Sequence, residues 1–185
     1  MNKKITFAMF AVFAIMATSI LTSVPVYAST PHGSTSSWDR GDVNLWAQCP
    51  EMGDTAEGAA WVSTGYMLAH TYGTAHADAY LNFGSVTAAA NVNYVEVTVS
   101  WTSGYKYTFG SVNQARLECK LYVNGNYRGT EISSFPAASG EEDFGFSTSI
   151  NTDDALDVDI KLVADTSGGI ATLYGTFTEI EFVTP

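Results

Sequence analysis

From Ala59 onward, apolar and polar residues alternate with a period of two in run after run. In HADAYLNF, Ala77, Ala79, Leu81 and Phe83 share one side, and His76, Asp78, Tyr80 and Asn82 the other. In YVEVTVSW, Val95, Val97, Val99 and Trp101 align against Tyr94, Glu96, Thr98 and Ser100. Phe144, Phe146, Thr148 and Ile150 form a third set. Val158, Ile160, Leu162 and Ala164 form a fourth, with Asp157, Asp159, Lys161 and Asp165 opposite. Successive side chains of a strand point to opposite faces, so each run predicts a half-buried β-strand. ATLYGTFTEIEF changes side between Phe177 and Ile180, which predicts a bulge or an edge there. No stretch has helical periodicity. About eight to nine strands separated by Gly/Asn/Asp/Ser turns predict an all-β fold, an antiparallel β-sandwich of jelly-roll type. Each sheet has one apolar face and must cover the other.

The sharpest local signal is LYVNGNYRGTEI, where Asn124-Gly125 separates two strand-like runs. Asn-Gly suits the two central positions of a type I′ hairpin turn. A two-residue loop places Tyr122 opposite Tyr127 and Glu118 opposite Glu131. Leu117, Cys119, Leu121 and Val123 then face inward, with Ile132 across from the start of that run. The outward tyrosine pair is expected to stabilise the hairpin and is also a candidate stacking surface.

The ends and the composition set the domain plan. Lys3 and Lys4, the apolar run Ile5 to Leu21 and the small-residue site Val26-Tyr27-Ala28 read as a secretory signal peptide over residues 1–28. Residues 29–58 read as a polar, irregular N-terminal segment in which Trp38, Leu45 and Trp46 dock on the body. Residues 59–185 read as the β-sandwich domain. The formal net charge is −11, and Lys3 and Lys4 belong to the leader, so the exported part is more acidic still. That argues against a nucleic-acid partner, which needs clustered Lys and Arg, and against adhesion to an anionic bilayer. No later stretch is expected to insert into a membrane, and the chain is expected to be secreted or at the cell surface. Its two cysteines, Cys49 and Cys119, are expected to form a disulfide, worth about 4 kcal/mol for a long loop in the chain-entropy model.

Few residues suggest catalysis. There is no G-x-S-x-G elbow, and His32 lies in the loose leader. His70 and His76 flank a turn expected at Tyr72-Gly73 and project to opposite faces, so they cannot share an ion. Glu96, Glu118, Glu131 and Asp159 all lie on expected strands, and nothing selects two of them as a glycosidase pair. Asp153, Asp154 and Asp157, in NTDDALDVD, are hard oxygen donors in a turn and are candidates for a structural calcium ion; no other cofactor is implied. Tyr105 and Tyr107, in WTSGYKYTFG, are the best candidates for stacking against sugar rings, with Tyr122 and Tyr127 beside them. Trp101 is assigned to the core, and Trp46 and Trp61 to packing beneath the N-terminal segment.

The strand layout from about Ala59 to Val183 resembles the jelly roll of secreted carbohydrate-binding modules. The resemblance lies in strand pattern alone and assigns no binding residue. It implies a non-enzymatic module whose partner is an extracellular glycan. Two other readings are a structural subunit of a coat, matrix or filament that self-associates through its N-terminal segment, and a glycoside-active enzyme.

Overall fold

The computed structural model describes residues 30–35, 38–46, 54–61, 63–135 and 138–184. The expected signal peptide and Cys49 lie outside the described residues. Among those described there are eight strands: β1 (Thr30–Thr35), β2 (Trp38–Trp46), β3 (Thr55–Trp61), β4 (Tyr66–Thr87), β5 (Val95–Val123), β6 (Asn126–Ser133), β7 (Ala138–Phe146) and β8 (Ala155–Thr184). Every pairing is antiparallel, in the order β2-β4-β8-β5-β6, with β1 added to β8, β3 to β4 and β7 to β5.

The four alternating runs occupy the sides expected of them. Ala77, Ala79, Leu81 and Phe83 are fully buried, as are Val95, Val97 and Val99, Leu117 to Val123 at alternate positions, and Val158 to Ala164 at alternate positions. Together with Trp101, Phe135, Phe144, Phe146, Phe177 and Phe182 they form one contiguous core. The two ends of β5 meet across that core. Val95 pairs with Phe146 and Leu121 pairs with Gly129, and a Cβ placed on Gly129 would lie 3.5 Å from the Phe146 ring. The long strands therefore turn over and supply both layers of a β-sandwich.

Glycine makes that turn possible. Gly73 of β4, Gly169 of β8 and Gly110 of β5 lie side by side in register. Gly73 and Gly110 have φ of +83° and +71°, and neighbouring Gly168 has +114°. L-residues avoid these values and glycine does not. The register shifts immediately beyond, at Gly73/Thr74 and Gly110/Val112. Bulges on two adjacent ladders add twist at one level and crease the sheet there. The turn expected at Tyr72-Gly73 is this crease and not a hairpin: β4 continues through it, and His70 and His76, on either side of it, both point away from the core, beside Thr172 and Asp165. The predicted face change after Phe177 is also a bulge. Trp101 pairs with Phe177 and Ser100 with Glu179, which leaves Thr178 as the extra residue.

The Asn124-Gly125 turn forms as read, with φ of +52° and +74° at the two central residues. The Asn124 side chain also accepts from Ala155 N at 2.9 Å and donates to Asp154 at 2.7 Å, which ties the hairpin to the start of β8. Tyr122 does oppose Tyr127, but a bulge at Arg128 then shifts the register by one. Glu131 faces Cys119 rather than Glu118, and Ile132 faces Glu118 and is 55% exposed rather than inward. A one-residue slip moves every later side chain to the other face. The segment expected to be irregular carries β1, β2 and most of β3. Edge strands gain their hydrogen bonds from the backbone of a neighbour, so no apolar period need mark them in the sequence.

Candidate functional site

Beyond the crease, β3, β4, β8 and β5 lie side by side. Met67, Ala69, Ala171 and Leu173 line their inner face in the core. By alternation the intervening residues stand on solvent. One row across the strands is Leu68, Tyr174 and Tyr105, the next is His70, Thr172 and Tyr107, and the third is Tyr72, Ile170 and Phe109. On the outer strand Trp61 pairs with Tyr66 and Glu57 with His70.

The rings at one end of this face are in mutual contact. Trp61 and Tyr66 have centroids 5.1 Å apart, Tyr66 stacks on Tyr174 at 6.1 Å, and Tyr174 stacks on Tyr105 at 4.9 Å with 14° between the planes. Four aromatic side chains from four strands thus make one continuous band. Each contact adds about 0.5–1.5 kcal/mol beyond area burial. Trp61 is 50% and Tyr105 39% exposed, so the band is open to solvent while its members hold one another in place. Burial raises the Tyr66 phenol above its ordinary range, and the nearby Tyr174 and Glu57 raise it further. The middle row is polar, with His70 Nδ1 2.8 Å from Thr172 Oγ1. The third row flanks a cleft of about 460 Å³ floored by Gly73, Gly168 and Gly169 and bordered by Asp54.

The two tyrosine groups named from the sequence are therefore separate. Tyr105 and Tyr107 belong to the aromatic face. Tyr122 and Tyr127 lie beyond the crease, beside Asp157, as an edge-to-face pair at 5.8 Å, and the Tyr127 hydroxyl bonds Thr130. Tyr122 also lines a polar cleft of about 300 Å³ with Asn82, Asp157 and Asp159. Trp101 is in the core, 2% exposed. Trp61 is exposed, which corrects its assignment to packing beneath the N-terminal segment: it ends an edge strand on the outward side. Tyr66, Tyr72, Tyr174 and Phe109 were not singled out from the sequence. Their signal was present as alternation in YMLAHTY and KYTFG, but nothing marked that side as the solvated one.

Asp153, Asp154 and Asp157 do not converge on an ion. Asp154 accepts from Asn151 N at 2.8 Å and from the Asn124 side chain, and these bonds hold its carboxyl below the usual range. Asp157 accepts from Ser85 at 2.8 Å. These oxygens serve the turn, and among the described residues no group of three or more His, Cys, Asp or Glu side chains is placed to hold a metal. Two of the four strand carboxylates have structural partners: Glu118 is held by Arg116 at 2.6 Å, and Asp159 accepts from Asn82 at 2.7 Å. Lys161 pairs with Asp78. Among the described residues, no helix is long and apolar enough to cross a membrane.

Cys119 is fully buried and forms no disulfide among the described residues; Cys49, the other half of the expected bridge, lies outside them. Burial pushes the ionisation of Cys119 well above the usual thiol range, with Asp159 and Glu131 adding to the effect. The thiolate is the reactive form, so a thiol reagent should label Cys119 only after denaturant unfolds the protein. Rapid labelling of the native fold would contradict this placement.

No protein-family model matches the chain, and no curated protein matches it. Solved structures resemble it distantly. The enzymatically active domain of bacteriophage CBA120 tailspike protein 4 gives a TM-score of 0.37 at 11% identity, over 76% of this chain and 19% of that one. This chain thus spans about a fifth of the tailspike domain. A family 16 carbohydrate-binding module gives 0.35 at 13% identity, over 72% of this chain and 89% of the module. A family 35 carbohydrate-binding module from Clostridium thermocellum gives 0.34 at 10% identity, over 83% and 97%. Likeness at this level does not carry over a site.

Proposed function

We propose that the chain is an exported, non-enzymatic β-sandwich that binds an extracellular glycan along the outward face of β3, β4, β8 and β5. The observation that carries this reading is the continuous solvent-exposed band Trp61–Tyr66–Tyr174–Tyr105. A pyranose ring has one face of C–H groups and an equator of hydroxyls. The C–H face packs on an aromatic face, whose quadrupole is negative. The hydroxyls need polar partners at the same level, and His70, Thr172, Tyr107 and Glu57 stand in the adjoining row. From Tyr66 to Tyr72 the face runs six residues of β4, on the order of 20 Å, long enough for several sugars of an extended chain. The band sits on paired strands, so little ordering entropy is lost on binding.

Affinity electrophoresis against a panel of soluble polysaccharides tests the reading. Retardation by at least one is expected. Trp61→Ala and Tyr105→Ala should each weaken it about tenfold, which is the cost of truncating one aromatic anchor. Each variant also loses a ring contact, so the melting temperature should fall by no more than about 2–4 °C. Tyr127→Ala, beyond the crease, should leave binding intact. Retardation that survives both face variants would remove this site.

A further inference from the structure

The cleft at the crease has a chemistry distinct from the aromatic band. Its walls are Tyr72 of β4 and Phe109 of β5, the latter 66% exposed. Both pair with Ile170, so their backbones are two inter-strand spacings apart, about 10 Å. Ile170 stands between them on the same face, so a group in the cleft seats over Ile170 with an exposed aromatic ring on either side, and such rings attract cations. Gly168 and Gly169 add no side chains to the floor, and the Asp54 carboxylate lies against Gly73, where a Cβ would collide with it. Asp54 borders the cleft, oriented by a 2.8 Å hydrogen bond from Thr74 N to its Oδ2. The outward positions of the four strands bear the acid Glu57 and neither Lys nor Arg, and the net charge of the whole chain is −11. Two exposed rings flanking the cleft, a carboxylate against its glycines and a negative field together suit an organic ammonium group.

We propose that this cleft binds an organic ammonium group. Given that the aromatic face binds glycan, the favoured glycan carries amino sugars with free amines. The amine seats over Ile170, flanked by Tyr72 and Phe109, with Asp54 as its counter-charge, and the neighbouring sugars lie along the band toward Trp61. N-acetylation removes the charge and with it the preference.

The protein is titrated with oligomers of glucosamine, with the same oligomers fully N-acetylated, and with tetramethylammonium chloride alone, following intrinsic fluorescence. The free-amine oligomers should bind about tenfold more tightly than the acetylated ones. Asp54→Asn, which keeps an oxygen for Thr74 N, and Phe109→Ala, at an exposed ring, should each erase that difference and leave the acetylated oligomers unaffected. Equal affinity of the two oligomers for the wild-type protein would overturn the ammonium site and leave the glycan reading standing. An amine preference that persists in both variants would place the amine elsewhere and overturn it too. Binding of tetramethylammonium alone, lost in both variants, would uphold the cleft as an ammonium site and remove amino sugars as its ligand. Silence from all three probes would overturn the ammonium site and leave the glycan reading to the polysaccharide panel.

Discussion

Gly169→Ala is expected to destabilise the fold by about 3 kcal/mol, read as a drop in the urea midpoint at unchanged slope. A Cβ at this position would lie 2.5 Å from the Phe109 carbonyl oxygen and 2.8 Å from the nitrogen and oxygen of Ser111. All three are backbone atoms of β5, and no rotamer change can move them away. Relief requires β5 and β8 to part where Gly73, Gly169 and Gly110 stand abreast, which is where the sheet creases. Gly125→Ala is the control. That residue has φ of +74° but nothing within 4 Å of its Cβ position, so it carries only the torsional cost, about 1 kcal/mol. If the two variants lose equal stability, close approach at the crease is not what Gly169 provides.

Trp101→Ala is expected to cost about 3–5 kcal/mol, the range for truncating a large core aromatic. The indole is 2% exposed and packs against Phe135 at 5.2 Å and Phe177 at 6.2 Å. Its Nε1 donates to the Ala138 carbonyl at 2.8 Å, and so ties β7 to β5. Truncation removes apolar burial, leaves a cavity and orphans that carbonyl. Trp101→Phe keeps most of the packing and loses the hydrogen bond, so it should cost only about 1–2 kcal/mol. Trp61→Ala, on the solvated face, should cost only about 0.5–1.5 kcal/mol, from its ring contact with Tyr66. Comparable losses for Trp61→Ala and Trp101→Ala would mean that exposure does not separate their roles.

The division between these two tryptophans was half legible in the sequence. Trp101 continues the side of Val95, Val97 and Val99, so its burial followed from period two. Trp61 ends a short run with little apolar contrast, and its side became readable only when β3 paired with β4. The same holds for the hairpin. Asn124-Gly125 predicted its own turn and the Tyr122–Tyr127 pair, but the extra residue at Arg128 changed everything beyond, and Ile132 came out on solvent. The expected calcium ligands were an acidic string whose spacing gave no view of Asn124, a distant residue that occupies Asp154.

The sequence by itself determined the β class, the inward side of the four main runs and the conformation of the Asn124-Gly125 turn. These are local properties, set by backbone sterics and by the alternation of apolar residues within one strand. The tertiary structure alone decided which strands are neighbours, where bulges reverse the faces and where the sheet creases. Those depend on pairings between residues a hundred positions apart, such as Tyr66 with Thr176 and Tyr72 with Ile170. The aromatic face belongs to this second kind. Trp61, Tyr66, Tyr105 and Tyr174 come from four strands, and only the antiparallel register of β3, β4, β8 and β5 brings their rings into contact on one solvated surface.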